Sequence, residues 1–163
     1  MRFFLGLLIF SIGISQTHFN LNLEETGESS LFIFQSNITT LNFGDEVGVF
    51  DSNGVIDSLG NSGEILVGSG VWYGEQLEIV GIHAVDLSQF GGPILNGANP
   101  GNQILLKIWK ASEEIEYIPD YELITGSGSF DGLFSVINNI SCLDGYFIDE
   151  CGICNGPGSI YDC

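Results

Sequence analysis

Basic residues are almost absent. Lys and Arg number 3 against 21 Asp and Glu, a formal net charge of −18 at pH 7. That balance argues against nucleic acid, because binding phosphates needs cationic side chains to release counterions. It argues equally against anionic membrane surfaces and acidic polymers, which such a chain repels. Histidine is scarce too, with 2 residues, His18 and His83. Neither sits in an H-E-x-x-H pattern, so there is no zincin site. A G-x-S-x-G nucleophile elbow is also missing. The glycine clusters at Gly68-Ser69-Gly70 and Gly126-Ser127-Gly128 fit neither a G-x-G-x-x-G fingerprint nor a P-loop. No window sustains the 3.6-residue period of an amphipathic helix. No apolar run reaches the roughly 20 residues that a membrane-crossing helix needs.

What is present is an apolar, turn-rich chain. Of its 163 residues, 44% are hydrophobic and 12% aromatic, enough to build a core. The length fits one domain, or one domain with a small appendage. The start reads as a targeting signal. Met1-Arg2 precedes the apolar run Phe3 to Ile14, and Gly13 and Ser15 place small residues at −3 and −1 of a cleavage site. Residues 1–16 are therefore expected to be a signal peptide, with the exported chain beginning at Gln16 or Thr17.

Beyond the leader, strand patterns dominate. His18 to Leu23 alternates apolar and polar residues, as a half-buried strand does. Leu31–Phe34, Glu46–Phe50, Glu64–Val67, Gln76–Val85, Asn102–Lys110, Glu113–Ile118 and Phe130–Ile140 follow as strands, the fourth of these seven long enough to be central. Asn53-Gly54 signals a tight hairpin turn. Within Asn102–Lys110, Ile104, Leu106 and Ile108 share one face, and Trp109 fits the same buried strand. The longest gap, 86–101, is either a crossover between sheets or a functional loop. The fold class predicted is mainly β: an antiparallel β-sandwich, Ig-like or jelly-roll-like, over residues 17–140, with a small disulfide-rich C-terminal segment over 141–163.

All four cysteines fall in that last segment: Cys142, Cys151, Cys154 and Cys163, spaced C-x8-C-x2-C-x8-C. Behind a signal peptide this spacing reads as a disulfide framework, and four cysteines allow three pairings. Zinc is the rival, but a single C-x2-C knuckle and an oxidising compartment favour disulfides.

The segment Asp149-Glu150-Cys151-Gly152-Ile153-Cys154-Asn155-Gly156-Pro157-Gly158 resembles the DECGVCNGPG cysteine repeats of large secreted surface proteins of marine bacteria. Phe43-Gly44-Asp45-Glu46-Val47-Gly48-Val49-Phe50-Asp51 resembles a GDEIGVFD segment of modules from the same kind of protein, and Leu87–Leu95 and Leu106–Trp109 are similar to others. The resemblance implies a secreted β-rich module joined to a cysteine-rich linker, of a kind often found upstream of a C-terminal sorting domain. It implies no reaction.

Candidate binding residues are few. Asp51, Asn53 and Asp57 place oxygen ligands at alternate or near-alternate positions, as a hard cation prefers, and mark a candidate calcium loop. The spacing departs from an EF-hand: glycine is fourth rather than sixth, and position twelve is Ser62. The competing reading is a plain hairpin turn. Asp144, Asp149 and Glu150 form a second acidic cluster beside the cysteines. Trp72 and Tyr73 stand where one strand turns toward the next, and an exposed aromatic face there would stack on sugar rings; burial in the core is the competing reading. Glu114 and Glu116 share a strand face, where glycoside hydrolysis would want two carboxyls opposed across a cleft.

The function expected is a secreted non-catalytic module for surface attachment or structural display in a larger extracellular protein. A calcium-assisted carbohydrate-binding module is the alternative, and an extracellular hydrolase a distant third. The partners expected are an extracellular polysaccharide or a cell-surface protein.

Overall fold

A computed structural model describes residues 18–142. The expected signal peptide, Cys151, Cys154, Cys163 and the Asp144–Asp149–Glu150 cluster lie outside these residues. Ten strands follow in order: β1 Ser29–Phe34, β2 Glu46–Val55, β3 Ser62–Val71, β4 Leu77–Ile82, β5 Val85–Asp86, β6 Ile94–Leu95, β7 Ile104–Lys110, β8 Ile115–Tyr117, β9 Pro119–Thr125 and β10 Phe134–Cys142. One sheet has the order β4-β1-β10-β9 and the other β3-β2-β7-β8; β5 and β6 make a small separate ribbon. The described chain is a mainly β sandwich, as its alternating pattern predicts.

Alternation explains which face of each strand is buried. In β7, Ile104, Leu106, Ile108 and Lys110 point inward while Leu105, Lys107 and Trp109 do not. Phe32 and Phe34 of β1, Val47 and Val49 of β2, Ile79 of β4 and Ile137 and Ile140 of β10 complete the interior with Trp72 and Phe130. Burying each such large side chain contributes roughly 1.5–3 kcal/mol. Trp109, expected in the core, is instead on the outer face, because its parity is opposite to that of Ile108.

Three further expectations are corrected. His18 to Leu23 forms no strand. Its first amides bond to a side chain: the His18 and Phe19 N–H groups donate to the Glu46 carboxylate, the shortest at 2.8 Å. The segment is a strap that lays Phe19 on Gly48 and Phe50, then tucks Leu23 against the core. Asn53-Gly54 is not the hairpin turn. Both residues lie within β2, beside a register shift between Asp51 and Gly54, and the chain reverses later, at 56–61. Gly54 is required by proximity: a Cβ there would sit 2.7 Å from the Gly97 carbonyl oxygen, and Val55 and Gly97 exchange both backbone hydrogen bonds. Finally, β4 is an edge strand, not a central one.

The 86–101 segment does cross between the sheets, carrying the chain from β4 to β7 with a short 3-10 turn, Ser88–Phe90, on the way. The predicted Glu113–Ile118 strand is only the first half of a longer extended run. The chain leaves one sheet at Tyr117 and enters the other at Pro119, so β9 follows almost at once. Between the named strands the pairing is antiparallel, except that β1 and β10 run parallel.

Candidate functional site

The proposed calcium ligands do not converge. Asp51 is wholly buried. Its carboxylate accepts the Asn53 and Asn99 amide N–H groups, each at 2.8 Å, and the Asn102 side-chain amide at 2.9 Å. Asn53 offers its main-chain carbonyl to the side-chain amides of Asn99 and Asn102. The three residues Asp51, Asn99 and Asn102 thus latch the irregular end of β2 to the loop before β7. Asp57 belongs to a different network. It closes the 56–61 turn by accepting from the Leu59 and Asn61 N–H groups and from the Asn61 side chain. Those hydrogen bonds, the Asn61 side chain first, hold its pKa below the ordinary carboxylate value. Among the described residues no group of three or more His, Cys, Asp or Glu side chains comes together to hold a metal.

The aromatic pair divides between core and surface. Trp72 is 2% exposed and offers no face to a ligand; its place in a stacking site is corrected. Its main chain ties two loops together, since Gly44 N–H donates to the Trp72 carbonyl and Trp72 N–H to the Asp45 carbonyl, both at 2.8 Å. Tyr73, one residue on, points outward at 47% exposure. Phe43, on the opposite loop, is 65% exposed, and its ring centroid lies 5.2 Å from that of Tyr73. Two aromatic rings therefore stand in solvent on loops braced by two backbone hydrogen bonds. Sequence reasoning misses Phe43 as a partner because it lies far from Tyr73 along the chain.

The remaining polar residues serve other ends. Glu116 bonds the His18 ring at 2.8 Å and stands 3.7 Å from Lys107, on edge strand β8. Glu114 occupies the β7–β8 turn with φ of +57°, and both carboxylates are exposed. They do not oppose each other across a cleft. The His18 ring stacks on Trp109 at 3.9 Å and covers its outer face.

Buried Ser30 and His83 form a pair that resembles a nucleophile and its base, with Oγ and Nε2 2.9 Å apart. Their proton arrangement is the reverse of a catalytic one. The Ser30 hydroxyl donates to the Gly132 carbonyl at 2.6 Å, so His83 Nε2 must donate to Ser30 Oγ. Burial lowers the His83 pKa, opposed by the charge of Glu28.

Compared with models of known protein families, with curated proteins and with solved structures, the chain finds no match in any of the three.

Proposed function

We propose that the chain is a non-catalytic extracellular module for surface attachment or structural display within a larger assembly. One observation carries this reading. The buried carboxylates Asp45, Glu46 and Asp51 all accept main-chain N–H groups that hold a loop or the N-terminal strap in place. A catalytic carboxylate needs a free oxygen facing a cleft, whereas these act as latches. The leader pattern and the DECGICNGPG motif support an extracellular setting. The test is expression of the full chain from its own leader. A processed protein outside the cell, beginning at Gln16 or Thr17, supports the proposal; an unprocessed chain retained inside rejects it.

The exposed Phe43–Tyr73 pair favours a second reading, binding of an extracellular polysaccharide by stacking on sugar rings. A glycan and polysaccharide screen with calcium, and again with EDTA, decides it. Binding that survives EDTA and is lost in Phe43→Ala and Tyr73→Ala supports this surface as the site. Binding lost in EDTA assigns a role to calcium, and no binding leaves a cell-surface protein as the partner.

A further inference from the structure

Lys110 and Asp45 are the one fully enclosed cation–carboxylate pair among the described residues. Their side chains are 5% and 1% exposed, and Nζ lies 3.0 Å from Oδ2. The placement follows from register. Glu46 and Trp109 are paired across β2 and β7, and Asp45 and Lys110 are one step further along the same ladder. Asp45 shares its parity with Val47 and Val49, and Lys110 shares its own with Leu106 and Ile108. Both side chains therefore rise from opposed backbone positions into the sandwich. Such cross-strand neighbours have Cβ atoms about 5 Å apart, within easy reach of a lysine stem.

A third carboxyl group shares this region. Glu113 lies in the turn that follows Lys110, and its Oε2 is buried with no hydrogen-bond partner. The Tyr117 hydroxyl reports the same crowding. Burial first, then the charges of Asp45 and Glu113, push its pKa far above the ordinary tyrosine value. The enclosed Lys110–Asp45 pair and the buried oxygen of Glu113 thus lie on the same side of the sandwich, both close enough to Tyr117 to act on its hydroxyl. A buried ion pair is weak evidence for stability, because desolvation offsets its attraction. The arrangement does suit condensation, since it holds an amine against a carboxyl carbon at high effective concentration.

We propose that Lys110 and Asp45 join through an intramolecular amide bond between Nζ and Cγ, with Glu113 as the proton carrier. The ammonium first gives a proton to the Asp45 carboxylate, leaving a neutral amine and a neutral acid. The Nζ lone pair attacks Cγ and forms the new C–N bond. Glu113 takes a proton from the nitrogen and returns one to the departing oxygen. The C–O bond then breaks and one water leaves, so atoms and charge balance without oxidant or co-reactant. In the product the amide N–H keeps its bond to the Thr40 carbonyl and Oδ1 keeps the Ala111 N–H, while the departing Oδ2 gives up the Asn42 N–H that it accepts at 2.8 Å. Every cysteine lies at position 142 or beyond, so this bond would be the covalent tie inside the sandwich itself. It is independent of what the module binds.

The test is the mass of the purified folded protein after reduction and denaturation, with its N-terminus sequenced. Wild type is expected to be lighter than its sequence by one water, and proteolysis to yield a branched product joining the Asp45 and Lys110 peptides. Lys110→Ala and Asp45→Ala should each keep the full mass of their sequences. Glu113→Gln should fold yet remain uncondensed; full condensation in that variant would remove the role of Glu113. Wild type at full mass, with the two peptides separate, would overturn the cross-link. That reading does not depend on whether either alanine variant folds.

Discussion

Asp51 holds together the irregular end of β2 and the loop before β7. Removing its carboxylate leaves two partly buried main-chain N–H groups without their acceptor and the Asn102 amide with only the Asn53 carbonyl. Asp51→Ala is expected to destabilise the protein by on the order of 3 kcal/mol, read by urea unfolding. The loss should be the same with calcium or EDTA, and a stabilisation by calcium in wild type alone would restore Asp51 as a ligand. His83 gives a pH signature. Its folded pKa lies below the ordinary 6.5, so as pH falls below that value the unfolded chain takes up a proton that the folded chain resists. The stability it supports is therefore complete above pH 6.5 and declines on acidification toward the folded pKa. His83→Gln should flatten that decline in thermal melts between about pH 7 and pH 5. Trp72 and Tyr73 show why such sites are hard to read from residues alone. Both are aromatic, and a single step in parity sends one into the core and the other into solvent.

At the scale of elements, the strap is the feature with the sharpest consequence. Phe19 is 4% exposed and seals Gly48 and Phe50. Phe19→Ala is expected to cost about 3 kcal/mol, measured by denaturant unfolding, while His18→Ala, at a partly exposed site, should cost much less. Most strands are legible from alternation, and β7 is the clearest case because Ile104, Leu106 and Ile108 recur at every second position. The strap misleads because its alternation is genuine while its amides bond to Glu46 instead of a neighbouring strand. Asn53-Gly54 misleads for a related reason. A strong local turn signal is overridden by the long-range pairing of Val55 with Gly97, and the glycine is needed for that close approach. The β9 strand is hidden because the chain changes sheets at Ile118 with no polar loop to mark the passage. The Phe43–Tyr73 surface is half legible: Tyr73 stands out, but its partner depends on two loops meeting.

For the whole molecule, charge is the governing term. A net charge of −18 on a chain of this size generates self-repulsion that the folded state concentrates. Raising salt from about 0.01 M to 1 M shortens the screening length from roughly 30 Å to 3 Å. The melting temperature is expected to rise across that range, although salt also weakens the exposed Lys107–Glu64 pair. A melting temperature that falls with salt would mean that the few ion pairs outweigh the repulsion.

The parallel pairing of β1 with β10 bears on how the domain would carry load. Leu31 to Phe34 lie beside Phe134 to Ile137 in the same direction. A pull applied to the start of β1 and the end of β10 draws these two strands past each other lengthwise. Their hydrogen bonds then share the force in shear and must break together, where an antiparallel hairpin pulled at its open end would unzip one bond at a time. The strap ahead of β1 would peel away first, and the sandwich beneath it would resist as a unit.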